Sequence, residues 1–277
     1  MIKPVQQNEA LMADIQSVND DVLRIWWLGQ SGFLLKLGQE SILFDPYLSD
    51  ALPRKYANTN KPHTRISEIV IEPSMLRGIS VVTSSHNHTD HLDAETLLPI
   101  FQQNPGVHFL IPEANRAFVV DRLQCEPTFP IGMNDDGLVF KHKNIEIIGV
   151  PAAHNTVDRD TDGRCKYMGF VAKIGHFCVY HSGDTLLFDG LIDILKPYQV
   201  DVAFLPINGN DPSRGVAGNL NCEEAAFVAK NIGAKLAIPH HYDLFAFNTA
   251  NVADFVVACE EQGVQYRVMQ LGEGIAV

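Results

Sequence analysis

One segment constrains this chain more than any other: His86-Asn87-His88-Thr89-Asp90-His91 places four potential metal-binding groups within six residues. It follows Ile79-Ser80-Val81-Val82-Thr83, a β-branched run that predicts a buried strand. It precedes Leu92-Asp93-Ala94-Glu95-Thr96-Leu97-Leu98, where Asp93 suits a helix N-cap and Glu95 the first turn. The ligands are therefore expected on a strand-to-helix loop. Such a loop points polar side chains into a crevice between elements that fix its two ends. Imidazole and carboxylate suit zinc, manganese or iron, and their closeness lowers the ordering cost of gathering several on one ion. With no cysteine nearby, a structural thiolate site is disfavoured.

Upstream, residues 5–18 place Leu11, Met12, Ile15 and Val18 at helical spacing. This predicts an amphipathic helix ahead of the main fold, over a sheet edge or against a partner subunit. Residues 22–27, 33–36 and 41–46 then read as antiparallel hairpin strands, with a turn at 29–32. Asp45 closes the third strand before a proline, either as a turn-forming Asp-Pro or as a carboxylate accepting hydrogen bonds from the metal-binding loop. Residues 47–65 gather Arg54, Lys55, Lys61, His63 and Arg65, with Pro53 and Pro62 interrupting any helix. That stretch reads as a solvated loop or as a rim that attracts an anion.

Downstream, strands are expected at 107–111, 145–150, 167–173, 177–181, 200–207, 234–239 and 265–269, and helices at 115–123, 223–232 and 252–259. A hairpin recurring after helix-containing text suggests two similar halves stacked face to face. No linker or low-complexity tract divides the chain, and 277 residues suit one α/β domain.

The spacing His-x-His-x-Asp-His is the signature of the metallo-β-lactamase superfamily, and the chain resembles that family from about Trp26 onward. The resemblance implies a four-layer αββα sandwich, two mixed sheets with helices on the outer faces. It implies a single domain over residues 1–277, of which 1–21 form an N-terminal helical extension. It also implies two divalent metal ions, zinc or manganese first and iron after them, one on His86, His88 and His154 and the other on Asp90, His91 and His241, with Asp184 bridging. His154 lies just past a strand end, where the family supplies a third ligand, and Gly183 lets the backbone turn so that Asp184 faces back over the sheet. His241 stands two residues after Pro239, with His240 as its rival. Asp90 and Asp184 are the expected catalytic carboxylates, around a metal-bridging water whose pKa a cation lowers from about 15.7 towards about 7. Asp45 and His181 are read as groups that support the ligands without binding metal.

Trp26-Trp27-Leu28-Gly29, Tyr180-His181-Ser182-Gly183-Asp184 and Ile238-Pro239-His240-His241-Tyr242-Asp243 are similar to the L-ascorbate-6-phosphate lactonase group. The Ala-His-Asn around His154 departs from that group and leaves the substrate open. The expected activity is hydrolysis of a small anionic ester, lactone or phosphodiester. Asn208 could donate to an oxyanion and Arg214 grip a phosphate or carboxylate, although Gly-Asn-Asp-Pro is also ordinary turn chemistry; Tyr242 is a third candidate contact. Two other classes compete on the same fold, a di-iron redox protein and a non-catalytic metal-binding sensor. The redox branch carries a Glu where this chain has His88.

The 33 acidic and 21 basic residues give a formal charge of -12, which disfavours nucleic acid and anionic membranes as partners. No apolar run approaches the roughly 18 residues of a membrane span, and the opening residues are too polar for a secretory signal. A cytoplasmic protein, monomeric or homo-oligomeric, is expected. Its five scattered cysteines read as reduced core fillers.

Overall fold

The polypeptide builds its first sheet from the hairpin text near the N-terminus. In the computed structural model, which describes residues 1–277, helix α1 (Glu9–Ser17) precedes strands β1 (Arg24–Gly29), β2 (Gly32–Leu37) and β3 (Glu40–Phe44). α1 buries Leu11, Met12 and Ile15, and its Asp14 accepts a 2.7 Å hydrogen bond from the Trp26 indole. The helix therefore packs against the sheet of its own chain. Helix α2 (Ala51–Tyr56) corrects one expectation, since Pro53 does not interrupt it. Pro53 is the third helical residue, and N–H groups of a first turn have no intrahelical acceptor to lose.

Strand β4 (Val81–Thr83) leads through the histidine loop into helix α3 (Ala94–Gln103). Asp93 caps α3 as anticipated, accepting from the Glu95 and Thr96 amides at 3.3 and 3.1 Å. There follow β5 (His108–Pro112), α4 (Arg116–Leu123), β6 (Pro130–Met133), β7 (Val139–His142), β8 (Ile145–Pro151), β9 (Met168–Ile174) and β10 (Phe177–His181). The chain continues through α5 (Leu191–Leu195), β11 (Val202–Pro206), α6 (Cys222–Ile232), β12 (Leu236–His240), α7 (Val252–Gln262) and β13 (Gly274–Ala276). The strand expected at 265–269 is instead irregular, tied to β12 by a bridge between Ala237 and Tyr266. Its alternation reflects Tyr266, Val268 and Met269 packing towards the core while Gln265 and Arg267 are exposed, and the closing strand is β13, antiparallel to β1.

The first sheet runs β13-β1-β2-β3-β4-β5-β6 and the second β12-β11-β10-β9-β8-β7. Strands β3 to β6 are mutually parallel, as are β10 to β12, so both sheets are mixed. Their faces meet where Phe33 of β2 approaches Phe204 of β11 with ring centroids 4.3 Å apart, and where Phe44 stacks on His181 at 4.9 Å. Helix α4 contacts β6, and α6 contacts β11 and β12, which adds the outer layers of a four-layer sandwich. β8 is antiparallel to β9 and β9 to β10, so β8 points the same way as β10. The loops that leave β8, β10 and β12 consequently emerge at one end of the second sheet, where the loop that leaves β4 meets them. No helix is long and apolar enough to cross a membrane, and all five cysteines are unpaired.

Candidate metal centre

Asp45 sits just beyond β3 with φ 40°, a left-handed turn that brings its carboxylate back against the histidine loop. One oxygen accepts from the Thr83 hydroxyl and the Ser85 amide, each at 3.0 Å. The other accepts from the Ser85 hydroxyl and from His91 Nδ1, the latter at 2.7 Å. With Nδ1 carrying the proton, the lone pair of His91 Nε2 faces the cluster. His154 is oriented by the same device, its Nδ1 donating to the Gly218 carbonyl at 2.9 Å. Asp45 thus both turns the chain and orients a candidate ligand.

Asp184 lies at the middle of the cluster. Its Oδ1 is 3.4 Å from His91 Nε2, and its Oδ2 is 3.6 Å from His154 Nε2 and 3.5 Å from His241 Nε2. Asp90 Oδ2 is 3.6 Å from His241 Nε2 and 3.7 Å from His91 Nε2. Three overlapping sets each keep their donor atoms within 4.8 Å of one another: His86, His88 and His154; His86, His91 and Asp184; Asp90, His91 and His241. Within them, His86 Nε2, His91 Nε2 and Asp184 Oδ1 are buried without a hydrogen-bond partner, because the 3.4 Å approach of His91 to Asp184 lacks hydrogen-bond geometry. Buried polar atoms left unpaired are costly, and a cation removes that cost. The donor set fits divalent metal.

The electrostatics prepare the same arrangement. Burial, then His91 and His88, hold His86 well below the ordinary imidazole range. Burial and His154 bring His88 down to about 4, and burial lowers His154. For Asp184 burial opposes ionisation, but His91 and His241 outweigh it and keep the carboxyl far below its usual range. For His91 burial opposes charge, but Asp184 and Asp90 outweigh it and raise the imidazole well above its usual range. Without metal, these shifts favour positive charge on His91, which has Asp45, Asp90 and Asp184 around it, and favour the neutral form of His86, His88 and His154.

The expected difference between His240 and His241 is present, but strand alternation does not cause it. β12 ends at His240, and His241 has φ 65°, so a left-handed turn sends it into the cluster. His240 stays beneath, with ring nitrogens 3.0 Å from Ser31 Oγ and 3.3 Å from Ser182 Oγ. His181 donates from Nε2 to the Ser31 carbonyl at 2.8 Å and accepts from the Gly183 amide at 3.2 Å. It fixes the turn before Asp184 and makes no hydrogen bond to a ligand of the set. Gly183, at φ 58°, is required there, since a Cβ would lie 2.6 Å from that of Ser85 and 2.8 Å from the Met168 carbonyl.

The three expected substrate contacts are engaged within the protein. Asn208 donates to Asn248 and accepts from Asn219, each at 3.0 Å. Arg214 donates to Asn248 at 2.8 Å and to the Asn208 and Gly209 carbonyls at 2.8 and 2.9 Å. Tyr242 donates to the Met269 carbonyl at 2.9 Å and stacks on Trp27, centroids 4.6 Å apart. Each is committed to holding a loop, and none lines the cleft above the cluster. That cleft has a volume of about 530 Å³ and is bordered by Lys55, Lys61, His63 and Arg122 with Tyr56 and Phe118. Arg54 turns away to Glu95, and Arg65 to Asp50 at 2.7 Å.

Several contributors carried no sequence signal. Gln30, at φ 49° in the β1–β2 turn, donates to Asp90 Oδ2 at 2.9 Å and lies 3.0 Å from His241 Nε2. Tyr167 packs its ring 5.3 Å from His86 and 5.4 Å from His154. Arg122 holds the Asn87 and Leu92 carbonyls at 2.9 and 3.0 Å, bracing the loop from α4. A single polar residue in a turn or helix has no periodicity to betray such a contact.

Residues 40–242 match the model of a family described as the beta-lactamase superfamily domain. The chain is similar to a UPF0173 metal-dependent hydrolase of Caldivirga maquilingensis, 30% identical over 219 residues, or 79% of this chain and 82% of the relative. It is also similar to a UPF0173 metal-dependent hydrolase of Archaeoglobus fulgidus, 29% identical over 257 residues, or 91% of this chain and 97% of the relative. Among solved structures, Igni18, a metallo hydrolase from Ignicoccus hospitalis, aligns with a TM-score of 0.66 at 25% identity, covering 92% of this chain and 98% of the other. Sheet order, clustered donors and sequence likeness agree, and the chain belongs to the metallo-β-lactamase superfamily as a metal-dependent hydrolase.

Proposed function

We propose that this protein hydrolyses a small anionic ester, lactone or phosphodiester at a pair of divalent ions, zinc or manganese in preference to iron. The carrying observation is the placement of Asp184, whose two oxygens face His91 at 3.4 Å and His154 at 3.6 Å, nitrogens from both groups of ligands. On this reading His86, His88 and His154 hold one ion, Asp90, His91 and His241 the other, and Asp184 both. Bound ions supply Lewis acidity and lower the pKa of a bound water from about 15.7 towards about 7.

The chain's own residues do the remaining work. Asp45 and the Gly218 carbonyl keep His91 and His154 in the tautomer that presents Nε2. Asp90 is the more accessible carboxylate, with 13% of its side chain exposed against 3% for Asp184, and Gln30 steadies it at the cleft floor. It is placed to accept a proton as the bond breaks and to return it to the leaving group. Likeness to the lactonase group at Trp26–Gly29 and Tyr180–Asp184 supports a lactone among the candidate substrates.

Metal content tests the site: wild type should hold two equivalents, falling to one or none in His86→Ala and His241→Ala. Unchanged content in both variants would overturn the assignment. A metal-loaded enzyme inert towards a panel of lactones, esters and phosphodiesters would overturn hydrolysis of these classes.

A further inference from the structure

The charge of the cleft is divided by depth. Its only carboxylates, Asp90 and Asp184, lie at the floor and belong to the candidate metal sets. Lys55, Lys61 and Arg122 stand at the more exposed mouth, with no acidic side chain lining the cleft beside them. In the same loop of this chain of formal charge -12, two cations are neutralised: Arg54 pairs with Glu95, and Arg65 with Asp50. The three at the mouth are not. Lys55 reaches the Thr89 hydroxyl at 3.4 Å and the Tyr56 ring, 5.2 Å from its centroid, and Lys61 the Gly215 carbonyl, so neither meets a carboxylate. Arg122 uses one nitrogen on the Asn87 and Leu92 carbonyls, and its remaining guanidinium donors have no protein partner. Its guanidinium lies over the Phe118 ring, 4.4 Å from the centroid, so those donors are held in a defined plane.

We infer that Lys55, Lys61 and Arg122 form an anion-reading lip, and that the substrate carries a carboxylate or phosphate remote from the bond that is broken. This rests on the hydrolytic reading above and narrows it. An anion gripped at the mouth lets the scissile group reach Asp90 and Asp184 at the floor only if several atoms separate the two. A simple phosphodiester, whose single charge lies on the reacting phosphoryl group, has nothing to offer the lip. A lactone or ester with a remote anionic group uses both ends, the guanidinium fork supplying directional donors and the two ammonium groups adding charge.

The test compares kcat/KM on a matched pair, the para-nitrophenyl esters of valeric acid and of adipic acid, the second retaining a free carboxylate. Binding of phosphoglycolate to metal-free protein, followed by calorimetry, supplies a readout independent of turnover. The lysines are the better targets, since Arg122 also braces the metal loop. In the Lys55→Gln/Lys61→Gln double variant, the charged-to-neutral ratio and the phosphoglycolate affinity should each fall by about tenfold. Arg54→Gln, which removes an adjacent charge that does not line the cleft, should leave both unchanged. Equal loss on both esters, an equal effect of Arg54→Gln, or no phosphoglycolate binding to wild type would overturn the lip while leaving hydrolysis intact. If metal-loaded wild type turns over neither these esters nor the panel above, the hydrolytic reading fails. The affinity loss then decides separately whether the lip binds anions.

Discussion

Asp45 Oδ2 lies 2.7 Å from His91 Nδ1, and both side chains are wholly removed from solvent. The contact joins the end of β3 to the histidine loop and decides which nitrogen of His91 faces the cluster. Asp45→Asn keeps the volume but weakens the acceptor, and it should lower metal affinity about 10–100-fold. Competition with a chelator measures this, and an affinity equal to wild type would show that Asp45 serves the turn alone.

Gly183→Ala should destabilise the protein by about 1–3 kcal/mol, because φ 58° is unfavourable for any residue with a Cβ and the added carbon collides with Ser85 and the Met168 carbonyl. Urea unfolding measures the loss. Since Ser85 also holds Asp45, metal content should fall with it, and a variant as stable as wild type would contradict the packing described.

Acid should weaken the metal-free protein before its carboxylates titrate. His86 and His240 are buried and held well below their ordinary range, and the more exposed His88 is brought down to about 4. The unfolded chain takes up protons near pH 6.5 that these folded imidazoles refuse, so their stability is present above about pH 6.5 and drains as pH falls towards 4. His91 is raised, so its contribution is fully present below about pH 6.5 and is lost only as pH rises through its folded value. Urea midpoints should therefore fall steadily from pH 6.5 to 4. A flat profile would mean that these histidines are not held neutral.

Stripping divalent ions with a chelator should abolish turnover and lower stability, since His86 Nε2, His91 Nε2 and Asp184 Oδ1 lose the cation that satisfies them. With free metal at a hundred times its Kd, the loss is about 2.7 kcal/mol. A Tm insensitive to chelation and to metal re-addition would refute metal binding at this cluster.

Arg214→Ala should cost about 1–3 kcal/mol of stability through the contacts it makes to Asn248 and to the Asn208 and Gly209 carbonyls. It should affect charged and neutral substrates alike. A selective loss on anionic substrates would restore Arg214 to the substrate site.

The short-range chemistry was legible in the chain itself. Short apolar, strand-prone runs mark β1 to β3, β9 and β10, Asp93 announces the start of α3, and the six-residue histidine segment announces a metal-binding loop wherever it falls. The positions of Gly183 and Pro239 point, by resemblance, to Asp184 and His241. All of these signals lie within a few residues of the group they concern, where φ/ψ limits and side-chain period act directly.

The sequence alone thus determined the two-sheet class and the residue types of the metal cluster. Tertiary structure decided what each polar group faces. Arg214 and Arg122 both hold loop carbonyls, yet only Arg122 also lines the cleft. Gln30 reaches Asp90 across 60 residues of chain, and His241 enters the cluster through a left-handed turn that strand alternation cannot foresee. The physical reason is the same in each case: a hydrogen bond or charge contact between segments distant in sequence has no period, and it exists only once two packed sheets bring their strand ends together.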